Sequence, residues 1–270
     1  MTQPTVDDLS TQTQTAAPPS RTANWPRAWQ ALRTLIADPE RTDQVAQFII
    51  AVGGGGDLRA FARFRAHPGG RRLLAERPSL PDILSDLTRL AALPAGSLGR
   101  TYAEFMQGEK LDPTGIVDEF RAIEDPAMAS AVDPDERWFF ERFDVIHDLW
   151  HVLTGYGRDQ AGEAANLAFT FAQFPTRGIA FLVLAAALVG PKDFRLSWQR
   201  YLYRAWRRGR RAVCMTVAPY ESLLPLPLED VRTLLGIQPA MQAHPQGIVT
   251  GNRDAQGKWP RWLPQNRTAA

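Results

Sequence analysis

His147 and His151 stand one helical turn apart in the stretch His147-Asp148-Leu149-Trp150-His151. Residues i and i+4 of a helix project from one face, one above the other, so the two imidazoles can share a cation. Asp148, three residues before His151, can either complete the ligand set or hold a histidine tautomer from behind. Glu163 follows twelve residues after His151, and Gly155, Gly157 and Gly162 break the helical run so that the chain can turn back. The pattern reads HDxxH, eleven residues, then Glu.

A bare pair of histidines at this spacing is more often a buried pair bonded to backbone or carboxylate. Here composition favours the metal. The chain holds only four histidines, two of them in this motif, with a carboxylate between them and another after the glycine-rich turn. Phe143, Ile146, Trp150 and Val152 surround the pair, and imidazoles in an apolar shell need a metal or a hydrogen-bond partner. The second position differs from the HExxH of zinc proteases, and no third histidine follows at metzincin spacing, so the motif does not read as a peptidase.

These ligands need helices to hold them, and the composition supplies a core to pack those helices. The chain has 270 residues, 44% hydrophobic and 22% charged, with a formal net charge of +2. One cysteine, Cys214, excludes an intramolecular disulfide and a CxxC site. Residues 1–24 are polar and proline-containing, without an apolar core for secretion or an early basic face, and read as a disordered tail. From Trp25 the periodicity is helical almost throughout, with no sustained two-residue alternation, so an all-α fold is expected. Helices are expected over Thr42–Val52, from a cap at Asp57, over Pro68–Pro78 and Leu80–Leu93, and from a cap at Ser97. Asp135–Gly155 would be the long metal helix, Ala164–Phe174 its successor, and Ile179–Val189 a buried helix too short to cross a bilayer. The expected organisation is a tail over 1–24, one helical domain over 25–238 and an irregular arm over 239–270.

A second feature lies between Phe194 and Arg211. At a hundred-degree step, Phe194, Trp198, Tyr201, Leu202 and Ala205 form one face, and Arg200, Arg204, Arg207, Arg208 and Arg211 are assigned to the other. Such a basic helix can rest on anionic lipid, bind a pyrophosphate, dock on nucleic acid, or show its arginines to water. Nucleic acid ranks last, because the overall charge is small and no known module is visible.

The stretches HDLWHVLTGYG with its following GE, LPAGSLGRTYAEFM before it, and RAWRRGRRAV with LEDVRTLLGI after it resemble the ubiquinone biosynthesis family of the fourth Coq protein. The likeness runs from about Ala37 to Gln238, and His147, Asp148, His151 and Glu163 match the family's metal motif position by position. The resemblance implies a mostly helical fold and a divalent metal, zinc foremost and iron possible, held by those four residues. It also implies a polyprenylated hydroxybenzoate substrate whose carboxylate at ring carbon one is removed, with hydroxylation there in the oxidative version. The same four residues would then be catalytic, with Arg142 beside the motif as a further candidate and Arg158 and Asp159 as either substrate contacts or surface ion pairs. The expected setting is the cytoplasmic face of a bacterial inner membrane, touched through the arginine helix. Other ubiquinone-synthesis enzymes and a second copy of the chain would be partners, and Phe169, Phe171, Phe174 and Ile179–Val189 would line part of a lipid groove. The rival reading is a non-catalytic lipid-binding scaffold with a structural metal. Carboxylate-containing metal sites more often leave a position open than thiolate-rich ones, which favours the enzyme.

Overall fold

The computed structural model describes residues 23–37, 41–53, 55–113, 132–190 and 195–244, with Gly115, Asp118 and two short strands. The expected tail over 1–24 lies outside these apart from its last two residues, and so does Phe194. Among the described residues the fold is all-α, apart from an antiparallel pair of two-residue strands, β1 (Ile248–Val249) and β2 (Trp262–Leu263).

Local signals set most of the helix ends. Trp25–Ala37 (α1) starts after Asn24, whose side chain accepts the Arg27 N–H at 3.1 Å, and pairs with Thr42–Gly53 (α2) by burying Ala28 and Ala31 against Phe48 and Val52. Gly55–Ala66 (α3) begins two residues before the expected cap Asp57. Pro68–Glu76 (α4) is capped by the His67 ring, which accepts from Gly69 N–H at 3.1 Å. The element expected over Leu80–Leu93 is two helices, Leu80–Ser85 (α5) and Leu87–Ala91 (α6), because Asp86 stops one and caps the next through the Arg89 N–H. Ser97 caps Leu98–Glu109 (α7) as its position suggested, at 3.3 Å from the Arg100 N–H.

Pro134–Thr154 (α8) is the axis of the molecule. Asp133 accepts two N–H groups of its first turn, Pro134 occupies a position where no donor is needed, and Gly155 ends it at φ 72°. Gln160–Gln173 (α9) follows, then Arg177–Val189 (α10) and Arg195–Arg211 (α11), which packs along α9. A 3-10 turn at Met215–Val217 leads to Tyr220–Leu223 (α12), Leu228–Leu235 (α13) and Ala240–Ala243 (α14). Helical order thus passes residue 238, and Ala240 and His244 are buried on the body.

The main core gathers Leu149, Trp150 and Leu153 of α8 with Tyr102 of α7, Phe169 of α9, and Trp198 and Tyr201 of α11. Trp150 donates to the Tyr220 hydroxyl at 2.8 Å, which in turn donates to Met215 O at 3.0 Å, so the largest buried side chain leaves no orphaned donor. Phe169 and Phe174 are buried and packed on Trp150 and Phe143, so they belong to the core, not to an open groove. α10 is buried on one side only: Ile179 and Leu182 are covered, whereas Phe181, Leu184 and Leu188 are exposed. Among the described residues no helix is long and apolar enough to cross a membrane.

Candidate metal centre

On α8, His147 and His151 point their Nε2 atoms at one another, 3.2 Å apart. Glu163 Oε2 closes a triangle, 3.3 Å from His151 Nε2 and 3.6 Å from His147 Nε2. Donors bound at about 2.0–2.1 Å to one tetrahedral cation stand about 3.3–3.4 Å from each other. The triangle has that size, and its donor set of two imidazole nitrogens and one carboxylate oxygen suits a divalent metal.

The turn between α8 and α9 brings the third donor, Glu163, into the group. Gly155 takes the left-handed conformation that closes α8, and Asp159 caps α9 by accepting the Ala161 and Gly162 N–H groups at 3.1 Å. Gly162 lies against the turn so closely that a Cβ there would sit 2.0 Å from Gly157 O. Only glycine allows this approach, and it is the approach that sets Glu163 beside the histidines.

His151 is oriented from behind. Its Nδ1–H donates to the Tyr156 carbonyl at 3.0 Å, which leaves the Nε2 lone pair facing the triangle, and the Phe105 ring stacks over the imidazole with centroids 6.0 Å apart. Access is graded. The His151 side chain is fully buried, while those of His147 and Glu163 are 24% and 29% exposed, so the open side of the triangle is theirs. Arg158 faces the other Glu163 oxygen, Nε to Oε1 at 3.4 Å.

Burial alone would depress the His151 pKa, but the Glu163 carboxylate beside it, helped by Asp148, reverses the direction and raises it. Burial alone would raise Glu163, and the two histidines instead hold its carboxyl well below the usual range. In the absence of a metal, the Glu163 carboxylate and the His151 imidazole thus favour each other's charged form.

Two candidates stand apart from the triangle. Asp148 is about 100° around the helix from His147, against about 40° for His151, and its carboxylate is not among the converging ligand atoms. It acts by charge on His151 and on the buried Tyr102, whose pKa is raised by burial first and then by Asp148 and Asp112. Arg142 is a correction. Nine residues before His151, it falls about 180° away, on the far face of α8. Its guanidinium pairs with Glu221, donates to Ala218 O at 3.0 Å and lies over the Trp138 ring, so it holds the fold and touches no ligand.

Arg208 is the second correction. It is 5% exposed, where the stripe on α11 was expected to be solvated or lipid-facing, whereas Arg200, Arg207 and Arg211 are exposed. Its guanidinium donates to Thr154 O at 2.8 Å and to Gln238 O, 4.9 Å above the Tyr156 ring. Arg232 of α13 takes the two preceding carbonyls, Val152 O and Leu153 O, each at 2.9 Å. Two arginines thus cap the last turn of α8, where unpaired carbonyls and the negative end of the dipole meet. The Tyr156 hydroxyl bonds to His244 Nε2 at 2.7 Å, and burial, then Arg208 and Arg204, push the His244 pKa down to about 3, so that it stays neutral. Sequence reasoning missed Tyr156, Arg208, Arg232 and His244. For Arg208 the signal was present: seven residues after Tyr201, it falls within about 20° of that buried ring.

The same chain matches the family model described as coenzyme Q (ubiquinone) biosynthesis protein Coq4 over residues 17–241. It is 30% identical over 221 residues to the mitochondrial ubiquinone biosynthesis protein COQ4 homolog of Rattus norvegicus, covering 79% of this chain and 77% of that one. The Danio rerio homolog is 31% identical, covering 75% and 72%. A crystal structure from Nostoc punctiforme, assigned to ubiquinone biosynthesis, superposes with a TM-score of 0.58 at 22% identity, covering 80% of this chain and 99% of that one, which shows the common fold. The chain belongs to the Coq4 family of coenzyme Q (ubiquinone) biosynthesis proteins.

Proposed function

We propose that the chain is a metal-dependent enzyme of ubiquinone biosynthesis that removes the carboxylate from ring carbon one of a polyprenylated hydroxybenzoate. Membership of the family supports a role in ubiquinone biosynthesis. The observation that carries the chemical reading is the triangle of His147, His151 and Glu163, three protein donors at metal-ligand spacing with one partly exposed side. Structural zinc sites are closed by four protein ligands, whereas three donors leave a position for substrate or water.

A divalent metal bound there supplies positive charge for a substrate carboxylate or phenolate and, where redox-active, access to the oxidative version with dioxygen. The chain's own residues prepare that position. Tyr156 O fixes the His151 tautomer, Glu163 neutralises part of the cation's charge, and Arg158 balances the second Glu163 oxygen. Phe105 stacks over the His151 ring.

Elemental analysis of the purified chain beside His147→Ala and Glu163→Ala, followed by assay on a prenylated 4-hydroxybenzoate under air, tests the reading. About one metal per chain in the wild type, lost in both variants together with the decarboxylated product, is the expected result. Product from metal-free protein, or a metal whose loss unfolds the chain without any turnover to lose, would overturn it; the second outcome favours the scaffold.

A further inference from the structure

Tyr156 joins two buried parts of the molecule by its two ends. Its carbonyl accepts the His151 Nδ1–H at 3.0 Å, and its hydroxyl meets His244 Nε2 at 2.7 Å, eighty-eight residues further along the chain. Tyr156 is 2% and His244 1% exposed, so neither bond competes with bulk water.

The side chain of Tyr156 places its carbonyl. The residue lies just past the end of α8 between Gly155 and Gly157, and its N–H reaches Thr154 Oγ1 at a long 3.4 Å. Glycines on both sides leave the chain many rotations, so the backbone follows whatever holds the ring. Arg208 lies over that ring at 4.9 Å, Tyr201 meets it edge-on with centroids 6.1 Å apart, and His244 bonds to its hydroxyl.

His244 is itself fixed. Its N–H closes α14 on Ala240 O at 3.0 Å, and its ring lies on Tyr201 with centroids 4.5 Å apart. Arg208 ties Gln238 O, just before α14, to Thr154 O at the end of α8. Burial, then Arg208 and Arg204, keep the His244 ring neutral, and a neutral imidazole can accept at Nε2 from the phenol O–H.

We propose that His244 is a positioning residue of the candidate metal centre: through the Tyr156 hydroxyl it fixes the Tyr156 carbonyl, which orients His151. The segment 238–244 is then part of that centre and not an appendage of the helical body. The inference rests on the proposed function only in taking the triangle as a metal site.

Cobalt(II) binding to the full chain, with its ligand-field spectrum, tests the assignment. His244→Phe keeps a ring and removes its nitrogens; it weakens cobalt binding about tenfold and shifts the spectrum. His244→Gln, whose amide takes the place of Nε2, restores both towards the wild type. Tyr156→Phe keeps the carbonyl and loses the hydroxyl; it reproduces His244→Phe, and the double variant is no worse than either single one. Phe48→Leu, in the buried α1–α2 contact, loses stability and keeps the wild-type affinity and spectrum. A folded His244→Phe or Tyr156→Phe with wild-type affinity and spectrum, additive losses in the double variant, or an equal shift in Phe48→Leu overturns the proposal. A second readout needs no metal. The His151 Nδ1–H proton resonance of the metal-free chain moves upfield in His244→Phe and in Tyr156→Phe, as its bond to Tyr156 O weakens. An unmoved resonance overturns the positioning role; a wild type that takes up no cobalt, with the resonance moved in both variants, sinks the metal reading alone.

Discussion

His151 is held between a carbonyl and a carboxylate: its Nδ1–H donates to Tyr156 O at 3.0 Å while its Nε2 lies 3.3 Å from Glu163 Oε2. In the metal-free chain the Glu163 charge raises the His151 pKa against the effect of burial, and the histidines lower that of Glu163. The raised histidine adds stability that is complete below its unfolded pKa of about 6.5 and is lost as pH rises through the folded value. The lowered carboxylate adds stability that is complete above its unfolded value of about 4.3 and is lost as pH falls through the folded one.

Metal needs the imidazole neutral, so uptake has the opposite slope to the histidine's own contribution. Affinity should fall by about tenfold per pH unit below the His151 pKa, with about one proton released per cation bound. Calorimetric titration in two buffers of different ionisation enthalpy reads that proton directly. Glu163→Gln should shift the dependence to lower pH while weakening binding at every pH; an unmoved pH dependence would mean that the carboxylate does not set the histidine's proton affinity.

Gly162→Ala tests the turn that delivers Glu163. The added Cβ would meet Gly157 O at 2.0 Å, so α9 must move away from the turn and take Glu163 with it. A cost of about 1–3 kcal/mol in thermal or denaturant unfolding is expected. Metal affinity in the folded protein should fall as well, whereas Gly108→Ala, where the added Cβ meets nothing within 4 Å beyond its own stretch of helix, leaves metal affinity unchanged.

The convergence of His147, His151 and Glu163 was legible in the sequence because its geometry is local. Residues 147 and 151 share a face of any helix, and the glycines before Glu163 announce a reversal; caps such as Ser97 and Asp133 carry their own signals. What lay out of reach was set by long-range packing. Nothing near Arg232 in the chain says that it will bond to Val152 O and Leu153 O, eighty and seventy-nine residues earlier. The expected burial of Ile179–Val189 failed for a related reason, since hydropathy reports that a helix is apolar and not which of its sides finds a neighbour. Arg142 was tied to the motif by proximity in sequence, although helical phase turns it the other way.

Arg208→Met should loosen the end of α8. The side chain is buried and bonds to Thr154 O and Gln238 O, so its loss leaves two carbonyls without that donor at a cost of about 1–3 kcal/mol. Tyr156 would lose the cation over its ring in the same step, and its carbonyl is the His151 acceptor. In a cobalt-loaded sample the ligand-field spectrum should therefore broaden or shift. An unchanged spectrum with lowered stability would confine Arg208 to holding the fold.

Asp144 lies one turn before His147, and burial, then the charge of Glu141, push its carboxyl up to about 8. For an acid raised on folding the sign is inverted: the folded chain keeps a proton that the unfolded chain has released, so stability declines as pH rises from about 4 towards 8. Asp144→Asn removes that dependence. The metal-free variant should melt higher than the wild type at pH 8 and above, with the gap narrowing towards pH 5, in parallel thermal melts. A bound divalent cation one turn away would draw the Asp144 pKa down, so the advantage of the asparagine should shrink in metal-loaded samples. A gap that is the same at all pH values would assign the effect to packing or helix propensity instead of the carboxyl's charge.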